Sequence, residues 1–133
     1  MQKYFVPEII LYKMTNLWLS IIVILLIFLG EGLSIYAELI AAKNNSLSSS
    51  PPYLLFLKMF LVITLAGGIL IAGYMLGFLT FKNIWVVSVT SLVAILILEP
   101  FLSYYIFQQW PTKGAFIGLI LGILGFIATL FIK

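Results

Sequence analysis

The chain has 133 residues, of which 64% are hydrophobic and 8% are charged, and its mean hydropathy is +1.25. Soluble domains carry about 25% charged residues, so the composition excludes a soluble domain and indicates an integral membrane protein. Cysteine, histidine, arginine and aspartate are all absent from the sequence. Disulfides, thiolate or histidine metal sites and Ser-His-Asp catalysis are therefore excluded, and we expect no enzyme activity, metal or cofactor. The lysines form no cluster, so no nucleic-acid partner is indicated.

Four apolar stretches predict an all-α integral membrane protein with four transmembrane helices, since a bilayer-spanning helix needs about 20 residues. The predicted spans cover about residues 17–42, 53–81, 84–108 and 115–132, which together form a transmembrane domain over residues 17–133.

The mixed N-terminal segment, residues 1–16, is expected to lie on the membrane surface as an interfacial helix. The alternative is that it begins the first span. A cleaved signal peptide is a further alternative, but the long segment before the hydrophobic stretch and the glutamates before Ala42 argue against it.

The stretch KNNSLSSSPP, residues 43–52, is the one clear linker, because Asn, Ser and paired prolines interrupt helices. With four crossings, the N-terminus, Lys82 and the C-terminus share one side of the membrane. That side carries four lysines and the other side three. Since lysine excess sets orientation, this near balance leaves two alternatives: insertion in both orientations, or a weak preference for the N-terminus inside.

Glu31 lies about fifteen residues into the first span. A charge at that depth costs about 2.5–3.5 kcal/mol, and no lysine lies within one turn to offset it. Hydrocarbon surroundings favour the neutral acid, and a carboxyl that gains and loses a proton can exchange it for a cationic ligand. The alternative is a carboxyl that only holds helices together by hydrogen bonding.

Three other polar positions are candidate substrate or proton sites. Ser34 and Glu38 continue the face of Glu31 towards the end of the span, although Glu38 is equally explained as a hydrated helix end. Glu99 precedes Pro100, and a proline inside a membrane helix frees a backbone carbonyl and favours a kink. Glu99 is either part of a pathway or an exposed residue beyond the end of the span.

The second span is rich in glycine around Tyr74, which is a further candidate substrate or proton site. Its hydroxyl is expected to point at a partner, with Glu31 a candidate. The third span adds hydroxyl groups at Ser88, Thr90 and Ser91. Trp85 and Trp110 lie at predicted span ends, where aromatic anchors are expected.

The fourth span carries small residues on one stripe, which lets helix backbones approach closely in lipid. We expect this stripe to pack within the chain or across a dimer. Its members are Gly114, Gly118, Gly122 and the nearby Gly125.

Taken together, FLGEGLSIYAELIAAKNN with its deep Glu31, the glycine-bearing AGYMLGFLTFKN and the final GAFIGLILGILGF resemble the small multidrug resistance transporters of the drug/metabolite transporter superfamily. The resemblance covers about residues 17–132. It places Glu31 at the family's essential carboxylate. Gln108 and Gln109 replace the acidic turn of the superfamily, which leaves room for a lipid-carrier flippase subunit.

The resemblance implies a proton-coupled antiporter of cationic or polar small molecules in a prokaryotic inner membrane. It implies a homodimer, antiparallel or otherwise, or a heterodimer with a similar small subunit, surrounded by lipid. The alternative from another class of function is a non-transporting assembly subunit that pairs with a larger membrane protein through the glycines of the fourth span.

Overall fold

A computed structural model describes the backbone of residues 5–47 and 51–131 and the side chains of residues 16–44 and 51–128. This part of the chain is all-helical and contains no strand. The helices are α1 (Phe5–Leu47), α2 (Pro52–Phe81), α3 (Ile84–Phe107) and α4 (Lys113–Phe131). The predicted all-α architecture is confirmed.

Three helices are long and apolar enough to cross a membrane: Asn16–Asn44 within α1, the whole of α2 and the whole of α3. The apolar part of α4 is shorter, over Lys113–Ala128. The chain is thus compatible with an integral membrane protein. That α4 also crosses the bilayer remains a prediction.

The first helix extends beyond the predicted span at both ends. From Phe5 the backbone runs without a break into the apolar region, while residues 1–4 of the predicted interfacial segment lie outside the described residues. At the other end α1 continues to Leu47, so the linker begins later than predicted. The side chain of Lys43 hydrogen-bonds α3, which holds this end of α1 against a neighbour. Residues 48–50 lie outside the described residues.

The turns that join the last three helices are short and locally capped. Lys82 has φ of 53° and its N–H donates to the Phe78 carbonyl, while the Asn83 side chain accepts from the Trp85 N–H. This pair of residues forms a tight turn between α2 and α3. Gln108 ends α3 in the same left-handed conformation, with φ of 55°. Thr112 caps the start of α4, where its hydroxyl oxygen accepts a hydrogen bond from the Ala115 N–H.

Close contacts at glycines align α1 and α2 as an antiparallel pair. A Cβ added at Gly73 would lie 3.1 Å from Cγ1 of Ile27, and one at Gly77 would lie 3.1 Å from Cγ1 of Val23. In the reverse direction, Gly30 of α1 lies against Leu70. Small residues at these positions let the two backbones approach closely, as membrane helices require.

The third helix lies parallel to α1 and completes a small core. Val23, Ile27, Val87 and Ala94 are fully buried, and Phe28, Leu70, Tyr74, Phe81 and Leu98 pack around them. Gly77 also meets Val87, so one glycine lies at the junction of α1, α2 and α3. This junction fixes the position of α3 along the axis of α1.

The fourth helix contacts only α3 among the described helices. Gly122 lies against Leu96, whose Cδ2 would be 3.0 Å from an added Cβ. The other members of the predicted stripe, Gly114, Gly118 and Gly125, have no atom of another helix within 4 Å of such a Cβ. Most of α4 is therefore uncovered, and the packing role of these three glycines remains a prediction.

Candidate functional site

The centre of the candidate site is a hydrogen bond between helices α1 and α3. The Ser91 hydroxyl donates to the Oε1 atom of Glu31. Glu31 lies near the middle of the membrane-length segment Asn16–Asn44. A carboxyl and a hydroxyl thus meet at the depth where uncompensated polar groups are most costly.

The packing of α3 explains why Ser91 faces α1. Val87, Ser91 and Ala94 are spaced by four and three residues, so they share one face of the helix, and all three are buried. Leu98 extends that face and lies 3.5 Å from a Cβ added at Gly32. The apolar members of the face dock on α1, and this docking brings the hydroxyl of Ser91 to the carboxyl.

The two partners differ in their access to the surroundings. Ser91 is 6% exposed, whereas Glu31 is only half-buried. The backbone beside the carboxyl is held firmly, because Gly30 lies against Leu70 and the Ala66 carbonyl of α2. The result is a carboxyl on a closely packed backbone that has one hydrogen-bond partner among the described residues and remains partly exposed.

A second polar contact joins the same two helices at their far ends. The Lys43 ammonium donates to the carbonyl of Ile106, with Nζ 2.6 Å from the oxygen. A cation near the end of a helix interacts favourably with the partial negative charge of its last carbonyls. Both side-chain hydrogen bonds that run between helices in the described part of the chain therefore connect α1 to α3.

The remaining predicted residues of α1 and α2 lie around this pair with different exposure. Ser34 is half-buried, and Glu38 is exposed. Tyr74 packs against the core of Val23, Ile27, Val87 and Ala94. The hydroxyl that reaches Glu31 is that of Ser91, and no described hydrogen bond joins Tyr74 to Glu31. A role for Tyr74 remains a prediction.

Glu99 lies on a different side of α3. It is exposed and lines a cleft between α3 and α4, together with Pro100 and Ser103. Pro100 lies inside the helix, which continues to Phe107. Since Ser91 faces α1 and Glu99 faces the α4 cleft, Glu99 is not part of the Glu31 pair.

Sequence reasoning noticed Ser91 as one of several hydroxyl groups in the third span but did not pair it with Glu31. The available signal was its spacing from Val87 and Ala94, which places it on the buried face. The pairing also depends on the register between α1 and α3, which their shared core and the contact of Gly77 with Val87 set together. Within the described residues, no three potential ligands lie close enough together to bind a metal ion.

Comparisons with protein-family models, with curated proteins and with solved structures find no match for this chain. The described part of the chain is thus an all-helical structure compatible with an integral membrane protein, with a carboxyl hydrogen-bonded between two of its helices.

Proposed function

We propose that the protein is a small proton-coupled transporter that exchanges protons for cationic or polar small molecules, with Glu31 as the exchanging group. The observation that carries this proposal is the half-buried Glu31 at the centre of α1, bonded to a single hydroxyl. Ionisable residues inside membrane segments are costly to retain, and they commonly mark ion or substrate pathways.

The chemistry of Ser91 suits either protonation state of the carboxyl. A hydroxyl donates to an ionised carboxylate, and it accepts from the proton of a neutral one. Ser91 thus keeps Glu31 partnered while the proton leaves and a cationic substrate arrives. Ser34 and Glu38, on the same face of α1, supply polar groups between Glu31 and the end of the span.

The exchange cycle has two half-steps. Protonated Glu31 opens to one side of the membrane, releases its proton and binds the cation by charge. Rearrangement of the helices then exposes the site on the opposite side, where a proton displaces the substrate. A carboxyl that holds either a proton or a cation, but not both, couples the two fluxes.

A packing role for Glu31 is the competing interpretation, because a hydrogen bond between helices also stabilises a membrane protein. Two features favour exchange. The carboxyl is half-buried rather than enclosed, and a hydroxyl or amide would make the same contact with Ser91 at less cost than an acid.

Four helices are few to enclose a substrate path, so the proposal includes a dimer. An antiparallel homodimer would supply eight helices, and its inverted symmetry suits alternating access. The nearly even distribution of lysines between the two sides is compatible with insertion in both orientations. A heterodimer with a similar small subunit meets the same requirement. The proposed location is a prokaryotic inner membrane, crossed several times.

The test is transport by purified protein in liposomes, recorded as current on solid-supported membranes while a panel of organic cations is applied. Glu31→Gln keeps the shape and the contact with Ser91 but cannot exchange a proton, so proton-coupled current is expected to vanish. Glu8→Gln is the matched control, since it removes a carboxylate from the predicted interfacial segment. Undiminished coupled current in Glu31→Gln would eliminate the assignment.

A non-transporting subunit of a larger membrane assembly, or a lipid-carrier flippase subunit, is the second candidate function. It is favoured by the uncovered surface of α4, where a Cβ added at Gly114, Gly118 or Gly125 would meet no atom of another helix within 4 Å. Purification in mild detergent separates the candidates. A stable self-dimer supports the transporter, and obligate co-purification of a larger membrane protein supports the subunit.

A further inference from the structure

The second half of α3 and the first half of α4 enclose a cleft of about 440 Å³. It runs from Leu96 to the turn at Gln109 and Trp110, and Gly118 forms part of its α4 wall. This volume falls within the range of small-molecule sites, about 300–1,000 Å³. The cleft lies on the side of α3 that faces away from Glu31, and the proposed transport cycle does not use it.

The α3 wall of the cleft is rich in hydrogen-bond acceptors. It carries the carboxyl of Glu99 and the hydroxyl of Ser103. Pro100, in the same wall, has no N–H to donate to the carbonyl of Leu96 one turn earlier. Within the described part of the chain, Glu99 forms no ion pair or hydrogen bond. A carboxylate, a hydroxyl and a backbone carbonyl together suit a cationic group that donates several hydrogen bonds.

Aromatic and apolar groups complete the lining. Trp110 is 81% exposed and its ring centroid lies 4.9 Å from that of Tyr104, which holds it against the end of α3. The face of a tryptophan attracts ammonium groups. Phe107 and Leu119 provide apolar surface beside it. The lining therefore combines a cation-binding wall with a surface suited to a hydrocarbon chain.

We propose that this cleft binds a primary ammonium group carried on an apolar chain, with Glu99 and Ser103 holding the ammonium. The site is independent of the proposed exchange at Glu31. Two sources have the required chemistry: the headgroup of an ethanolamine lipid and a water-soluble alkylamine.

The test is titration of the full chain, purified in dodecyl maltoside, with dodecylammonium. The detergent itself supplies a neutral headgroup on the same chain, so only the ammonium distinguishes the ligand. Trp18→Phe and Trp85→Phe leave Trp110 as the single tryptophan, and its emission reports binding. In this background Glu99→Gln is expected to weaken the apparent affinity about tenfold, as loss of a charged hydrogen-bond partner does. Glu8→Gln, which removes a carboxylate from the predicted interfacial segment, is expected to leave it unchanged.

A second pair of variants decides the question even where Glu99→Gln disturbs folding. Gly118→Leu places a side chain in the cleft, whereas Gly125→Leu places the same side chain on α4 outside it, and an added Cβ meets no atom within 4 Å at either position. Gly118→Leu is expected to abolish the emission change, and Gly125→Leu to preserve it. Equal titrations for these two variants, or for Glu99→Gln and the parent, would overturn the proposal.

Competition identifies the source of the ligand. Short-chain phosphatidylethanolamine is added to the dodecylammonium complex, with phosphatidylglycerol of the same chains as its control. Displacement by the ethanolamine lipid alone assigns the site to a lipid headgroup. Displacement by neither lipid assigns it to a soluble amine. Equal displacement by both would mean that the cleft recognises only the chain, which contradicts the proposal.

Discussion

Replacing Gly77 with alanine tests the three-helix junction that holds Ser91 against Glu31. The added methyl carbon would lie 2.9 and 3.1 Å from the two Cγ atoms of Val87 and 3.1 Å from Cγ1 of Val23. Carbon atoms in contact prefer separations of about 3.5–4.0 Å, so each neighbour must move by roughly 0.5 Å. Both valines are fully buried, and β-branched side chains have little rotational freedom with which to yield.

Overpacking of this kind costs about 1–3 kcal/mol, and a loss of about 2 kcal/mol lowers the folding equilibrium constant roughly thirtyfold. Val87 lies one helical turn before Ser91, so its displacement also moves the hydroxyl away from the carboxyl. We therefore expect Gly77→Ala to reduce both stability and any transport that depends on Glu31.

The assay is unfolding in maltoside micelles on addition of dodecyl sulfate, followed by far-ultraviolet circular dichroism. Gly68→Ala is the matched control, because a Cβ at Gly68 meets no atom within 4 Å, and its effect is expected to stay within about 0.5 kcal/mol. Gly73→Ala should fall between the two, since its nearest neighbours are a Cγ1 atom at 3.1 Å and a Cβ atom at 3.4 Å. If Gly68→Ala loses as much stability as Gly77→Ala, the close contacts do not govern stability and the reasoning fails.

Substitutions at three further positions test the polar and peripheral contacts. Ser91→Ala should lower stability by about 0.6–1.7 kcal/mol, the range for hydrogen bonds between membrane helices, and should impair transport. Ser91→Thr restores the hydroxyl and should recover both stability and transport. Equal behaviour of the two variants would show that the Ser91 hydroxyl has no role in the site. Lys43→Met should lower the free energy of unfolding by about 1 kcal/mol in the same assay, because the carbonyl of Ile106 loses its charged donor. An unchanged midpoint of the unfolding transition would contradict that contact. Gly122→Ala should cost less than Gly77→Ala, since the three atoms nearest to the added Cβ all belong to one flexible leucine side chain. A larger loss would mean that α4 is held more tightly than these contacts indicate.

Composition and hydrophobic run length were sufficient to predict four helices, because each apolar stretch is bounded by residues that stop or cap a helix. The observed bounds of α2, α3 and α4 lie within two residues of those predicted. The continuation of α1 to Leu47 was not predicted, because Lys43 is held by a carbonyl 63 residues further along the chain. Linker composition alone carries no information about such a contact.

The candidate site was predictable only in part. The energetic cost of a carboxyl within lipid identified Glu31 from the sequence alone. The partner of Glu31 depends on which face of α3 turns towards α1. The contact between Gly77 and Val87 helps to decide that orientation, and no local sequence pattern relates these two residues to Glu31. Glu99 lies apart from Glu31 because the same orientation of α3 turns Glu99 towards the cleft with α4.

The contacts divide the described helices into one packed unit and one peripheral helix. Helices α1, α2 and α3 share the core of Val23, Ile27, Val87 and Ala94 and its neighbours, with close glycine contacts between α1 and α2 and two side-chain hydrogen bonds between α1 and α3. Close packing of this kind resists any separation that leaves a void. Since α4 contacts α3 alone, α4 can move without breaking any contact that α1 or α2 makes.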